Sequence, residues 1–130
     1  MSSSNPIHES PTPTGRVEIA DSAIISVIHE AVLGCYGVVE LGTRSLQSPL
    51  RRRFFSNDAS RGISISQEEE DHLEIELSIV VEYGTPIFTV AQNVMQTVKF
   101  QVERLLALTV DRVNVNVDGL RVSTLTEKTS

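Results

Sequence analysis

The sequence contains no tryptophan and only one cysteine, Cys35, and aromatic residues make up 5% of the chain. Without tryptophan, a large aromatic binding platform is not expected. A lone cysteine forms neither an internal disulfide nor a thiolate metal cage, which fits a reducing compartment. No apolar run approaches the roughly 20 residues of a membrane-spanning helix, and the N-terminus lacks the basic and apolar regions of a secretory signal. The sequence therefore predicts a cytoplasmic protein.

The composition is that of one acidic globular domain. The 130 residues are 40% hydrophobic and 22% charged, with a net charge of −6. This charge argues against nucleic acid or an anionic membrane as the partner of the whole domain, although a local basic patch stays compatible with it. Residues 1–14 and 123–130 are rich in Ser, Thr and Pro and are predicted to be disordered tails. The domain is predicted over residues 15–122, with a long loop at 42–61.

Hydrophobic periodicity predicts the elements of this domain. The stretch GRVEIA alternates as a strand, and a helix follows that Asp21 or Ser22 would cap and Gly34 would end in a left-handed conformation. A short run, YGVVEL, is predicted to be a second short strand. Further on, ISIS and LEIELSIVVEY are predicted to form an antiparallel hairpin around an acidic turn, QEEEDH. From Pro86 the period changes to 3.6 and predicts a helix of about 20 residues. The stretch VDRVNVNVDG then returns to strand alternation.

These patterns predict an α+β fold. The main elements have the order β-α-β-β-α-β, and two helices would cover one face of a mostly antiparallel sheet as a two-layer sandwich. The other face of the sheet would be wet or would serve assembly. The residues expected on that possible assembly face are Glu74, Glu76, Asn114 and Asn116.

Three motifs, in this order and spacing, resemble a known family. They are Gly15–Ala20 before the first helix, Val81-Glu82-Tyr83-Gly84 before the second helix, and the VNVNVDG stretch of the last strand. The pattern is similar to that of the alkaline shock protein family, the envelope stress response proteins of Gram-positive and related bacteria. One departure concerns the end of the second helix. Family members often carry a Thr-Gly pair there, where this sequence has Leu106 and Ala107.

The resemblance implies a non-enzymatic role in cell-envelope homeostasis. Members of the family are cytoplasmic, can self-assemble, and in some cases are held at the inner membrane surface by a separate anchor protein. We therefore expect a homo-oligomer with a membrane-anchored protein partner. No cofactor, metal, small-molecule substrate or catalytic residue is implied.

The residues themselves support no strong catalytic or metal site. Of the three histidines, His8 lies in the predicted tail, His72 beside the acidic turn, and His29 just off the buried stripe of the first helix, where a boundary position is expected. Nucleophilic catalysis would need a base fixed beside a nucleophile. The acids of EEEDH are contiguous, whereas a calcium loop spaces its ligands at alternate positions. A solvated turn is therefore favoured over a metal site.

The stretch GCYG, residues 34–37, matches the GxxG pattern with which KH domains clamp a nucleic-acid backbone. That loop joins two helices and is usually basic. Here GCYG is predicted to lead from a helix into a strand, and it contains no basic residue, so a helix cap and turn is favoured. A KH-like nucleic-acid-binding module is kept as the alternative function.

The sharpest local feature is a basic cluster with two phenylalanines inside the long loop. It would contact lipid headgroups or a protein partner, meet nucleic-acid phosphates, or pack as an ordinary loop. Joining subunits head to tail through this cluster and the acidic turn is a further option. The residues of this basic cluster are Arg51, Arg52, Arg53, Phe54 and Phe55.

The stretch VVEYGTPI is predicted to be a structural joint between a strand and a helix. Tyr83 would bury its ring near the end of the strand, and Gly84 would redirect the chain. Thr85 would cap the helix, and Pro86 would fit its first turn, where no amide hydrogen is needed.

Overall fold

A computed structural model describes residues 7–42, 62–69 and 71–122. Eight elements follow one another along these described residues. They are β1 (Ile7–Thr12), β2 (Gly15–Ala20), α1 (Asp21–Leu33), β3 (Val38–Leu41), β4 (Ile63–Glu69), β5 (His72–Glu82), α2 (Ile87–Leu106) and β6 (Thr109–Arg121).

Strand β5 is the centre of the main sheet. Strand β6 runs parallel to it and pairs with it from His72 to Glu82. A strand has two edges, so β3 and β4 must share the other one. Strand β4 lies antiparallel beside the first half of β5, and β3 lies antiparallel beside the second half. Apart from this sheet, β1 and β2 form an antiparallel hairpin of their own.

Two glycines bring β3 and β4 together at the middle of β5. The N–H of Gly42 donates to the carbonyl oxygen of Ser78 (2.6 Å), and the N–H of Ser78 donates to the carbonyl oxygen of Gly62 (2.8 Å). A Cβ at Gly62 would lie 2.8 Å from the carbonyl oxygen of Gly42, and φ at Gly62 is +76°. Glycine is therefore required where the chain leaves and rejoins this edge.

The core lies between the sheet and the two helices. Alternate residues of β5, from Leu73 to Val81, are fully buried, as period-two alternation requires. Helix α2 buries one valine per turn: Val90, Val94, Val98 and Val102. Helix α1 buries Ile24, Ile25, Ile28 and Val32.

The predicted fold class is confirmed. The chain is α+β, with two helices against one face of a mostly antiparallel sheet. The strand predicted within YGVVEL is confirmed as β3, and the order contains β1 in addition to the predicted elements. The expectation of a disordered tail up to Thr14 does not hold for Ile7–Thr12, because these residues pair with the whole of β2. The Ser- and Pro-rich composition of this stretch does not reveal that it pairs with the neighbouring strand of the hairpin.

The helix ends differ in detail from the prediction. Ala20, rather than Asp21 or Ser22, is the N-cap of α1, and no side chain caps that end. Gly34 follows α1 with φ −84° and is not left-handed, because a bond from its N–H to the carbonyl of Glu30 continues the helical turn. The left-handed cap occurs instead at Ala107, φ 58°, after α2.

The acidic turn is tighter than predicted. Strand β4 continues through Glu69, and β5 already begins at His72. The pairing partner of Glu69 is His72, so most of QEEEDH belongs to the hairpin strands. Asp71, with φ 69°, lies in the turn.

Candidate functional site: the outer face, edge and end of the sheet

The outer face of the sheet carries a row of polar contacts between β5 and β6. The side chains of Arg112 and Glu74 form an ion pair at 3.2 Å. The side-chain amide of Asn116 donates to Glu76 at 3.3 Å and to the carbonyl oxygen of Leu77 at 3.2 Å. Three of the four residues predicted for an assembly face are thus engaged between these strands.

Asn114, the fourth residue of that face, is exposed. It lies opposite Glu76 in the register of β5 and β6. The structure therefore brings the predicted set of four together on one surface. Whether that surface serves assembly stays a prediction.

His72 and Asp111 close one end of this row. The Nδ1 atom of His72 lies 2.9 Å from Oδ1 of Asp111. The hydrogen bond to this carboxylate raises the pKa of His72 above 6.5, and the negative charge of Asp111 adds to the effect. The ring is exposed, so the contact is a surface feature of the strand pair.

Ser78 lies at the middle of the outer face and is fully buried. Its hydroxyl donates a hydrogen bond to the carboxylate of Asp118 on β6. A Cβ at Gly42 would collide with both side chains, so Gly42 has to be a glycine for β3 to approach. This point fixes the end of β3 at the middle of β5.

The residues of the basic cluster, Arg51, Arg52, Arg53, Phe54 and Phe55, lie outside the described residues. The structure places only the flanking glycines, Gly42 and Gly62, next to Ser78. Their role in contact with a partner or a surface therefore stays a prediction.

The stretch from Tyr83 to Pro86 connects β5 to α2. Gly84 has φ +101°, a conformation that favours glycine. The hydroxyl of Thr85 donates back to the carbonyl oxygen of Glu82 at 2.7 Å. Thr85 thus stabilises the turn rather than capping α2, and Pro86 occupies the N-cap position.

Tyr83 does not bury its ring as predicted. Its side chain is 63% exposed. The backbone explains this, because the N–H of Tyr83 donates to the carbonyl oxygen of Arg121 (2.9 Å). This bond continues the ladder with β6 beyond the point where the helical layer covers β5. The ring therefore lies past the end of the core.

Two further aromatic side chains are exposed at the same end of the molecule. Tyr36 is 75% exposed and Phe88 is 74% exposed. The N–H of Glu82 donates to the carbonyl oxygen of Gly37 (2.9 Å), and this bond holds the neighbouring Tyr36 at the end of β5. A Cβ at Gly37 would lie 2.7 Å from Val90, so this turn also packs against the first turns of α2.

We call Tyr36, Tyr83 and Phe88 the aromatic end cluster. The sequence analysis missed it, since Tyr36 and Phe88 were not singled out. A signal did exist for Phe88, a large aromatic residue that falls outside the apolar stripe of its helix. Nothing local marks Tyr36, because its backbone segment is joined to the end of β5 only by the tertiary fold.

The surface between α1 and α2 forms an open groove that includes Cys35. The thiol of Cys35 is half-buried and donates to the carbonyl oxygen of Ala31 at 3.4 Å. Glu30, Asn93 and Gln101 also line the groove. His29 is half-buried on α1, which agrees with the predicted boundary position. Gly34 and Gly37 lie between α1 and β3 and not between two helices, unlike the loop of a KH domain.

The fold and these surfaces define a small α+β domain whose outer sheet face is polar and whose end is aromatic. The chain belongs to the alkaline shock protein 23 family, which it matches over residues 9–122 and whose description is a cell envelope-related function. Membership agrees with the resemblance seen in the motifs. None of the described helices has the length and hydropathy needed to cross a membrane.

Curated relatives support this assignment. The chain is 35% identical over 113 residues to the uncharacterized protein YloU of Bacillus subtilis, covering 86% of this chain and 93% of the relative. It is 29% identical over 116 residues to the uncharacterized protein Spy1614 of Streptococcus pyogenes, covering 85% and 92% respectively. No solved structure matches the chain significantly.

Proposed function

We propose that this protein serves cell-envelope homeostasis and the envelope stress response without catalysis, by assembling with itself and with a membrane-anchored protein at the inner face of the membrane. The family supplies the cell envelope-related role. The observation that carries the docking part is the aromatic end cluster, three large side chains that are each more than 60% exposed.

Aromatic side chains at the surface favour a protein partner. Tyr, Trp and Phe are enriched at protein interfaces, where they bury a large area with few rotatable bonds. Each ring that moves from water into a partner's surface gains about 25 cal/mol per Å² of apolar area. The backbone of the cluster is held by the bonds at Glu82 and Tyr83, so little order has to be gained on docking.

The test is the share of the full chain that sediments with the membrane fraction of its native cell. We expect Phe88→Ser to reduce the membrane-bound share several-fold, because it removes a large exposed ring without touching the core. Phe100→Ser is the matched control. Phe100 is also on α2 and 58% exposed, but lies under the guanidinium of Arg104 at 5.5 Å.

Two results would contradict the docking role of the aromatic end cluster. One is an equal loss for Phe88→Ser and Phe100→Ser. The other is a membrane-bound share of Phe88→Ser that equals that of the unaltered chain. Thermal unfolding of both variants verifies that each change leaves the fold intact.

A further inference from the structure

One edge of strand β6 is left unpaired by the strands that the structure describes. The strand pairs with β5 on one side along the full length of β5. Within residues 7–42, 62–69 and 71–122, no strand pairs with the opposite edge. A long edge strand presents a row of N–H and C=O groups that can pair with another chain. What this edge would pair with is indicated by its own side chains.

The stretch RVNVNVD, Arg112–Asp118, is nearly symmetric about Val115. An asparagine lies one residue before Val115 and another one residue after it, and a valine lies two residues away on each side. Three residues away, Arg112 on one side corresponds to the oppositely charged Asp118 on the other. When two copies of one strand pair antiparallel about a two-fold axis, a residue before the axis lies opposite the residue equally far behind it. In such a pair, valine would lie opposite valine and asparagine opposite asparagine, and at each end a positive side chain would lie opposite a negative one.

We infer that β6 pairs antiparallel with β6 of a second copy about a two-fold axis at Val115. Val113 lies opposite the partner's Val117, Asn114 opposite the partner's Asn116, and Arg112 opposite the partner's Asp118. This inference rests on the proposed self-assembly and specifies the surface that performs it. The two sheets become one, with both helical layers on the same face.

The charges select this register among its neighbours. A shift of one residue would place valines opposite asparagines and so exchange the two faces of the sheet. A shift of two residues, to an axis at Asn114 or Asn116, keeps the faces but moves Arg112 away from the partner's Asp118. Opposite charges that face each other across a strand pair are favourable. Of these registers, only the one with its axis at Val115 keeps the two faces of the sheet and also places Arg112 opposite the partner's Asp118.

The geometry and exposure of β6 allow this pairing. From Arg112 to Val117 the strand follows Glu74 to Ile79 without a break, whereas Asp111 and Asp118, one on each side of this run, are extra residues of β6 that pair with no residue of β5. The side chain of Arg112 is 62% exposed although it contacts Glu74. A guanidinium has five N–H donors, so it can bind a second carboxylate.

The inward face of the same edge is incompletely covered. Val117 is 37% exposed and Leu120 is 45% exposed. In the proposed register Leu120 lies opposite the partner's Val110. Pairing would therefore cover apolar surface of β6 that the helices of one copy leave in contact with water.

Disulfide trapping in the full chain tests the register. All variants carry Cys35→Ser, so that the introduced cysteine is the only one. Asn114→Cys and an affinity-tagged Asn116→Cys are mixed and mildly oxidised, and the products are separated by size without reductant. We expect a disulfide between the two different variants, since directly opposite residues have their Cβ atoms about 5 Å apart.

Each variant oxidised alone should give little disulfide, because residues of the same number lie away from the axis. A strong disulfide of Asn114→Cys alone would place the axis at Asn114, and one of Asn116→Cys alone would place it at Asn116. Either result overturns the axis at Val115. The absence of a disulfide in the mixture overturns the pairing of β6 altogether.

Charge reversal with light scattering separates this inference from self-assembly in general. Arg112→Asp and Asp118→Arg should each raise the dissociation constant about tenfold. The double variant should return it to within about threefold of the unaltered chain. If the chain associates but the double variant is not restored, the pairing of β6 is wrong and self-assembly stands. If the chain stays single at every concentration, self-assembly fails as well.

Discussion

Gly84 and Ala107 both have positive φ, but only one of them is a residue type suited to it. Gly84, at φ +101°, is a residue suited to that conformation, whereas Ala107, at φ 58°, is not. Ala107 ends α2 with a bond from its N–H to the carbonyl of Glu103 (3.1 Å). At this position the family resemblance leads one to expect glycine, and the chain keeps the left-handed cap with alanine, at the steric cost of a Cβ.

Exchanging alanine for glycine at Ala107, and glycine for alanine at Gly84, should change stability in opposite directions. Ala107→Gly should raise the free energy of unfolding by about 1 kcal/mol, because it relieves the contact of Cβ with the backbone in the left-handed region. Gly84→Ala should lower it by about 1 kcal/mol or more for the same reason. Denaturant unfolding with constant m-values measures both changes.

Gly34→Ala is the control for these substitutions. Gly34 ends α1 with φ −84°. A Cβ there would meet only ordinary contacts, at 3.5 Å and beyond. Gly34→Ala should therefore not lower the free energy of unfolding. A loss as large as that of Gly84→Ala would show that the sign of φ does not govern these positions.

At the scale of elements, the passage from α2 to β6 is held by two side chains of the helix. The carboxylate of Glu103 accepts a hydrogen bond from the N–H of Val110 at 2.9 Å. The ammonium of Lys99 donates to the carbonyl oxygen of Val110 at 2.8 Å and to Glu103 at 3.2 Å. Both polar groups of the Val110 backbone are thus satisfied at the start of the strand.

These contacts predict a pH-dependent contribution to stability. The hydrogen bond from Val110 lowers the pKa of Glu103, and Lys99 adds to the effect. A carboxyl whose pKa is lower in the folded chain stabilises the fold above its unfolded pKa. This stabilisation is lost as the pH falls through the lowered value.

Glu103→Gln should therefore lower the free energy of unfolding by about 1 kcal/mol at neutral pH, since the charge-assisted bond becomes a neutral one. The difference from the unaltered chain should shrink as the pH falls into the acid range. Unfolding in urea at several pH values measures it. Glu30→Gln, at an exposed position of α1, should show little difference at any pH. A constant difference for Glu103→Gln would exclude the charge as its cause.

For the whole molecule, three surfaces have separate roles in the proposed function. The open edge of β6 is assigned to self-association, and the aromatic end cluster to a protein partner. The basic cluster, Arg51 to Phe55, lies outside the described residues and is predicted to be a third region of contact. Its point of attachment is fixed by Gly42 and Gly62 at Ser78, on the edge of β5 opposite to β6. An assembly through β6 would therefore leave this attachment point uncovered.

Arg51→Glu with Arg52→Glu tests the basic cluster. We expect unchanged circular dichroism and a membrane-bound share that is reduced several-fold, because the reversed charges would repel an acidic surface or partner. Arg16→Glu with Arg104→Glu is the control, since it changes the net charge equally at exposed positions. If the share falls equally in both, net charge alone decides it. If it falls in neither, the basic cluster has no docking role.

The sequence by itself determined the elements and the layers. The alternation in β5 and the four-residue spacing of valines in α2 set which faces are buried, because local geometry fixes these periods. The family motifs predicted a cell envelope-related role. The position of Gly84 with positive φ could also be read locally, since glycine next to a strand end is a strong turn signal.

Only the tertiary structure decided which residues meet. It joined β3 and β4 on one edge of β5, exposed the ring of Tyr83, and brought Tyr36 and Phe88 to the same end. Among the described strands, it also left one edge of β6 unpaired, the edge on which the inference from the symmetry of RVNVNVD rests. Strand pairing and exposure depend on contacts between residues far apart in the chain. Local periodicity carries no information about such contacts.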